Sequence, residues 1–281
     1  MRLIINGLDL NDRTNGWTVQ PDLEGFASLP TIRMTTGQNA GRDGGWSTAR
    51  LYDARSLNVK GYIYANSIAE LEQKRRQLMQ ALDTAEPITL QWVTDGGNVY
   101  STKVRPTQIT APISKALRFQ SYQLVLRADD PIWYDTSNPS EIVAELNVFK
   151  ETGGFLIPFE IPLPIGGGSG DTLVTNTGTT TVWPLITIEG VCHSPEIINV
   201  TTNESIKLLI DMEATDSVVI DTTPTMHTVV LNGTGNIYNT IAVGSEFPTL
   251  IPGQNRLRFV TDNESDTATA KIRYNSGYMG V

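Results

Sequence analysis

The residue types able to do chemistry are few, and their spacing decides what they can do. Cys192 is the only cysteine; His193 follows it directly, and His227 is the only other histidine. A thiol nucleophile needs its base within hydrogen-bond reach. Neighbours on an extended chain point to opposite faces, so Cys192 and His193 cannot share a proton. Cys192 reads instead as a half-buried, small apolar residue. Three Cys and His residues in all do not make a structural zinc site. Asp129-Asp130 is a carboxylate pair in sequence only, because adjacent carboxylates diverge and glycosidase pairs face each other across a cleft. Asp262-Asn263-Glu264-Ser265-Asp266 offers oxygen ligands for calcium but lacks the glycine and terminal glutamate of an EF-hand loop, so it reads as a solvated hairpin tip. Gly37 to Gly45 is glycine-rich like a phosphate cradle, yet it lacks the Gly-Lys-Ser/Thr ending and no helical pattern follows. It is read as a long loop or the tip of an extended hairpin. Trp46, Trp92 and Trp183 can stack on sugars, although packing is the commoner use of tryptophan, and in the second half Trp183 is the exposed candidate. Asn199-Val200-Thr201 and Asn263-Glu264-Ser265 match glycosylation acceptors without an accompanying secretion signal. The expected catalytic, cofactor-binding and metal residues are therefore none, and the chain is not read as an enzyme.

The elements that would position any site follow from composition. In 281 residues, 40% are hydrophobic and 18% charged, with 24 glycines and 15 prolines, which suits short strands joined by turns in one large or two ordinary domains. A formal net charge of −9 repels phosphate backbones and argues against general nucleic-acid binding. Lys74-Arg75-Arg76 is the one basic run, and on a helix such a run is a solvated face. A single cysteine allows no intrachain disulfide. The opening MRLIINGLDL is too short for a signal peptide's apolar core, and no run approaches the ~20 residues that cross a bilayer. Synthesis in a cytoplasm with no visible export address is the resulting expectation.

Arg2 to Asn6, Trp17 to Gln20 and Thr31 to Thr35 read as strands, the last with Ile32 and Met34 on one face. Leu57 to Tyr64 alternates cleanly. Ser67 and Glu70 then form a capping box for a helix to about Asp83, with Ile68, Leu71, Leu78 and Leu82 as its buried stripe. Asp95-Gly96-Gly97-Asn98 turns a hairpin from Ile88–Trp92 into Val99–Arg105. Leu117 and Phe119 share one phase while Tyr122, Leu124 and Leu126 take the other, which predicts a bulge near Gln120-Ser121. Asp130-Pro131 ends the first domain, and Ser137–Ser140 is the boundary. Residues 155–164 carry three prolines and read as a connector, followed by a glycine hinge to Gly170. Asn176-Thr177-Gly178 is a tight turn that uses left-handed backbone. After it Ile186 and Ile188 share a face, and so do Ile206 with Leu208, Leu257 with Phe259, and Ala268 through Tyr274. Asn232-Gly233 marks a hairpin.

The order of a strand, a capped helix, a hairpin, a long strand and Asp130-Pro131-Ile132-Trp133-Tyr134 resembles the N-terminal domain of siphophage distal tail (Dit) proteins. The second half resembles their C-terminal module through Asn176-x-Gly178, Pro184, Gly190, Asp221-Thr222 and the run Phe247, Pro248, Leu250, Pro252, Gly253 and Asn255. The resemblance implies a mainly β chain. Residues 1–136 would form a ring-building, sandwich- or barrel-like domain with one helix (67–83) and a long hairpin or loop. Residues 137–281 would form a galectin-like or carbohydrate-module-like sandwich or jelly roll, with the connector and hinge at 155–170. It further implies a baseplate-hub component of the virion tail tip, a homohexameric ring joining the tail tube to the host-adsorption tip. The implied partners are further copies of itself, the tail tube protein, and tail-tip and receptor-binding proteins, with cell-surface carbohydrate a possible further one and neither membrane nor specific nucleic acid among them. A carbohydrate-binding sandwich protein for cell-surface attachment is the alternative reading.

Overall fold

Alternating burial along paired strands builds both halves of the chain, and the computed structural model describes residues 1–112, 118–137, 142–150, 170–263 and 265–281. Leu117, the boundary at 138–140, the proline-rich connector, Gly166 to Ser169 and Glu264 lie outside the described residues. The chain divides into two compact units, Met1–Asn138 with Tyr278–Val281, and Pro139–Gly277.

In the first unit the elements are β1 (Arg2–Ile5), β2 (Leu8–Asp9), β3 (Trp17–Val19), β4 (Ile32–Arg33), β5 (Thr36–Gln38), β6 (Gly45–Ser47), β7 (Leu51–Tyr52), β8 (Arg55–Tyr64), α1 (Ile68–Leu82), β9 (Ile88–Val93), β10 (Val99–Thr110), β11 (Phe119–Ala128) and β12 (Trp133–Asp135). The main sheet runs β2-β1-β9-β10-β11-β8-β3, and β12 pairs with β10. Leu57, Val59 and Ile63 of β8 meet Leu124 and Leu126 of β11 and Leu3 and Ile5 of β1 in one core, which Leu78 and Leu82 of α1 cover. Asn6 and Gly7, at φ 47° and 82°, make the left-handed turn that their identities anticipate. Gly61 lets Tyr122 pack across the sheet, since a Cβ there would sit 2.3 Å from the phenol oxygen and 2.5 Å from the Thr18 carbonyl.

Two expectations for this unit need correction. Ser67 does cap α1 by accepting from the Glu70 N–H at 3.2 Å, while the Glu70 carboxylate accepts from the Asn66 N–H at 2.8 Å. Ile68 is 53% exposed, however, and does not join the stripe. The helix meets the core only from Leu71 onward, with Met79 packed beside Leu78 and Leu82. The bulge also lies elsewhere. Strand β11 pairs with β8 without a slip from Phe119↔Tyr64 to Ala128↔Arg55. Gln120 simply points inward, buried, and donates to the Ala111 carbonyl at 3.1 Å. Phe119 points outward and stacks on Tyr62 at 4.9 Å. The register shift falls on β10, between Pro106 and Gln108, where a proline cannot donate to the ladder.

The second unit holds β13 (Ile142–Asn147), β14 (Thr172–Asn176), β15 (Leu185–Glu189), β16 (Cys192–His193), β17 (Glu196–Asn199), β18 (Glu204–Lys207), β19 (Asp211–Met212), β20 (Ser217–Asp221), β21 (Thr228–Leu231), β22 (Gly235–Asn236), β23 (Gly253–Val260) and β24 (Thr269–Tyr274). Ten of them form a six-stranded sheet, β13-β24-β15-β20-β21-β22, and a four-stranded sheet, β14-β23-β17-β18, while β16 and β19 pair with each other. Ile186, Ile188, Ile220 and Ile272 from the first and Ile197, Ile206, Leu257 and Phe259 from the second are all buried. Asn232 and Gly233 turn β21 into β22 at φ 50° and 74°. The Asn176-Thr177-Gly178 turn works by a different device from the one expected. Neither Asn176 nor Gly178 has a positive φ. The Asn176 side chain accepts from the Gly178 N–H at 2.9 Å and donates to the Thr180 and Leu250 carbonyls. Gly178 is required because a Cβ would lie 2.1 Å from the Gly277 carbonyl oxygen.

Candidate functional site

The groups singled out for chemistry are dispersed and committed to local partners. Cys192 is fully buried, more than expected, with Sγ 3.5 Å from the Met212 sulfur. Burial, with Asp266 and Asp211 nearby, pushes its thiol up to about 12, so it carries no thiolate at neutral pH. His193 points away from it and meets Asp266, with Nδ1 2.9 Å from Oδ1, while the other carboxylate oxygen accepts the His193 N–H at 2.8 Å. His227 stacks on Phe247 at 4.3 Å. Asp129 holds Arg127 at 2.7 Å, whereas Asp130 accepts from Tyr134 at 2.8 Å, so the two carboxylates diverge. Asp262 pairs with Lys207, and Asn263 caps its own turn by accepting from Ser265. No group of three potential metal ligands comes together among the described residues. Asn199, the first glycosylation motif, is buried and donates to the Thr249 carbonyl. Trp92 packs with Phe26 and Trp133 in the core, and Trp183 is only partly exposed.

The His193–Asp266 contact spans 73 residues of sequence and has no local signature. Asp266 is opposed by its own burial, but the His193 N–H and ring hold its carboxyl below the usual range. The imidazole is raised, first by the hydrogen bond to Asp266 and then by the charges of Asp266 and Asp211. A histidine whose folded value lies above its ordinary value of about 6.5 stabilises the fold fully below that pH. The contribution fades as pH rises through the raised value. Wild type is therefore expected to lose its stability advantage over His193→Gln as pH goes from 5.5 to 8.5, read by chemical denaturation at each pH. A constant difference across that range would remove the charged pair as its source.

What the first unit does present is an arm. After the Gly25 to Pro30 loop the chain leaves the sheet as β4 and returns as β7, with Ile32 opposite Tyr52. Strands β5 and β6 extend the ribbon from Thr36↔Ser47 to Gln38↔Gly45. Thr48 donates its N–H to the Thr35 carbonyl at 2.8 Å and its hydroxyl oxygen accepts from the Thr35 N–H at 2.9 Å, joining the two paired stretches. Trp46 lies across Gly37, where a Cβ would meet its ring at 2.6 Å. Gly41 and Gly44 supply the left-handed tip at φ 73° and 94°. The stretch read as loop or hairpin tip is thus the end of a longer ribbon. No residue from 31 to 51 is buried, and Met34, Trp46 and Leu51 are 52%, 53% and 55% exposed. A two-stranded ribbon is marginal in water by itself, so one that buries nothing in its own chain is built to be covered.

The expected basic helix face is weaker than the sequence implied. Lys74 is largely covered, donates to the Tyr64 carbonyl at 2.8 Å and pairs with Glu70 at 2.7 Å.

A family model described as phage tail protein RIFT-related domain matches residues 17–161, and one described as siphovirus-type tail component, C-terminal domain, matches residues 177–278. The crystal structure of SPP1 Dit (gp 19.1), described there as a paradigm of the hub adsorption apparatus in phages infecting Gram-positive hosts, is similar at TM-score 0.69 and 16% identity, covering 98% of both chains. A chain of the phage P2 baseplate in its activated conformation with Ca is similar at TM-score 0.50 and 12% identity, covering 96% of both chains. No curated protein matches by sequence.

Proposed function

The chain belongs to the distal tail protein family of siphophages, and from that premise we propose that it works as a closed ring of identical copies between the tail tube and the host-adsorption tip. It is a structural component of the virion tail, at the baseplate hub. Its action is geometric: it assembles and docks, and turns over no substrate. The arm is the observation that carries the ring. A closed ring needs a head-to-tail interface, in which one surface meets a different one on the next copy. An exposed ribbon on one side of each copy supplies such an asymmetric contact. The first unit is assigned the self-assembly, six copies being the number the family resemblance implies, and the second unit is assigned the outward face. Tube, tip and receptor-binding proteins are the partners expected to dock on the ring.

The carbohydrate-module alternative has less to stand on, because Trp92 packs against the first unit's core and Trp183 is only partly exposed. Native mass spectrometry of the full chain at micromolar concentration tests the assignment. The expected result is a closed multiple of 30.8 kDa. A monomer at every concentration, with saturable binding to a simple glycan, would replace the ring with the alternative.

A further inference from the structure

We propose that the arm of one copy inserts its tip into the groove between α1 and the β1–β2 and β2–β3 turns of the next copy. This rests on the ring reading and names the surface that receives the arm. Charge favours this docking. Between residues 31 and 52, Arg33, Arg42 and Arg50 stand against Asp43, so the arm carries +3 − 1 = +2 in a chain of net −9, and the rest carries −11. Arg33 is held by Asp53 at 3.7 Å and Arg50 lies over the Tyr52 ring at 5.1 Å. Arg42, at the tip, has no ion-pair partner among the described residues.

The groove is about 490 Å³ and is lined by Asp9 and Asp12 on one side and Glu70, Gln73, Lys74 and Gln77 on the other. Asp9, Asp12 and Glu70 stand against the Lys74 ammonium, which Glu70 and the Tyr64 carbonyl already engage, and against Arg2, which holds Asp9 at 2.7 Å, so the groove keeps a net −1 with Asp12 lacking a close cation of its own. The Asn15 side chain holds the Asp12 carboxyl below its ordinary range, and the hydrogen bond from Lys74 does the same for Glu70, so both stay ionised at neutral pH. The side chains of Gln73 and Gln77, exposed and one helical turn apart, have no hydrogen-bond partner among the described residues and offer amides to an incoming backbone. The arm is also long enough. Ten residues of ribbon extend about 30 Å. No residue from 31 to 51 is buried against the unit, so a ribbon of that length is free to meet another copy. A cationic tip and an anionic groove at different places on one unit give the head-to-tail pairing that a ring requires.

The test uses the full chain. In Arg42→Cys/Gln77→Cys, a short bis-maleimide linker added to the assembled protein should give a ladder of covalent multimers. Neither single variant should give one, and Cys192 is buried and silent. Arg42→Glu and Gln73→Lys/Gln77→Lys should each raise the concentration for half-assembly roughly tenfold, and the combined triple variant should bring it back to within about threefold of wild type. A ring that gives no ladder and ignores both charge changes overturns the groove while leaving the ring intact. A linker bridge within a monomer also overturns it, because the arm would then fold onto its own groove. A wild type that never assembles removes the ring and the groove together.

Discussion

Replacing Arg55 by methionine is expected to lower the unfolding free energy by about 3–5 kcal/mol, with early hydrogen exchange around Gly25 to Ser28 and at the chain's last residues. Arg55 is 2% exposed. It donates to the Pro131 carbonyl at 3.0 Å, to the Gly25 and Ser28 carbonyls at 2.7 Å each, and to the Met279 carbonyl. Trp133 lies 6.0 Å from its charge centre. No carboxylate pairs with it among the described residues, so burial alone pulls its pKa down to about 10, still charged at neutral pH. Three stretches of irregular backbone thus turn their carbonyl acceptors to one buried point. A planar fork of five donors can meet such a convergence, and lysine's compact ammonium cannot span it. Methionine fills much of the volume but takes the donor from the Pro131, Gly25 and Ser28 carbonyls, and a buried acceptor left unmet costs about 1–3 kcal/mol. The loop it holds leads directly into the arm, so the variant should also blur the arm's root. Arg55→Lys should recover less than half of the loss. A loss below about 1 kcal/mol in methionine would mean that water reaches these carbonyls and that the site is not closed.

Much of this was legible because its signals are local. The period-2 burial of β8, β11, β23 and β24 follows directly from where their apolar residues fall. Asn6-Gly7 and Asn232-Gly233 announce their turns, and Ser67 with Glu70 announces the helix start. The misreadings share one cause, a partner distant in sequence. Gln120 looks like a break in an apolar phase until the Ala111 carbonyl that satisfies it is in place. Gly178 looks like a turn glycine until the Gly277 backbone arrives against it. Ile68 fits the helical stripe, but the core stops short of the first turn of α1. Nothing around Arg55 or His193 in sequence hints at Met279 or Asp266. The arm stood between these cases. Its glycines marked a hairpin tip, but its length depends on the two-residue strands β4 and β7, whose pattern is too short to read.

Excising the arm, by joining Thr31 to Asp53 through a two-residue turn where the Asp53 N–H already meets the Thr31 carbonyl, is expected to abolish the ring and leave the fold in place. The energetic reason is the asymmetry between what the arm gives its own chain and what it offers a neighbour. Within the chain it contributes an exposed ion pair between Arg33 and Asp53 and a contact of Arg50 with Tyr52, neither of which is worth much in water. It buries no side chain in the first unit's core, so its loss should shift the melting temperature by no more than about 3 °C. For a neighbour it presents Ile32, Met34, Trp46 and Leu51, each more than two-fifths exposed, together with open strand edges. An aromatic anchor of this kind is worth about 2 kcal/mol or more when covered, and a ring loses that at every interface at once. Closure is cooperative, so even Trp46→Ala should raise the assembly concentration well beyond tenfold. Native mass spectrometry and calorimetry on the same samples separate the outcomes. An excised chain that still forms rings would move the interface off the arm. One that unfolds would show the ribbon to be part of the unit it leaves, against the exposure of every residue from 40 to 51.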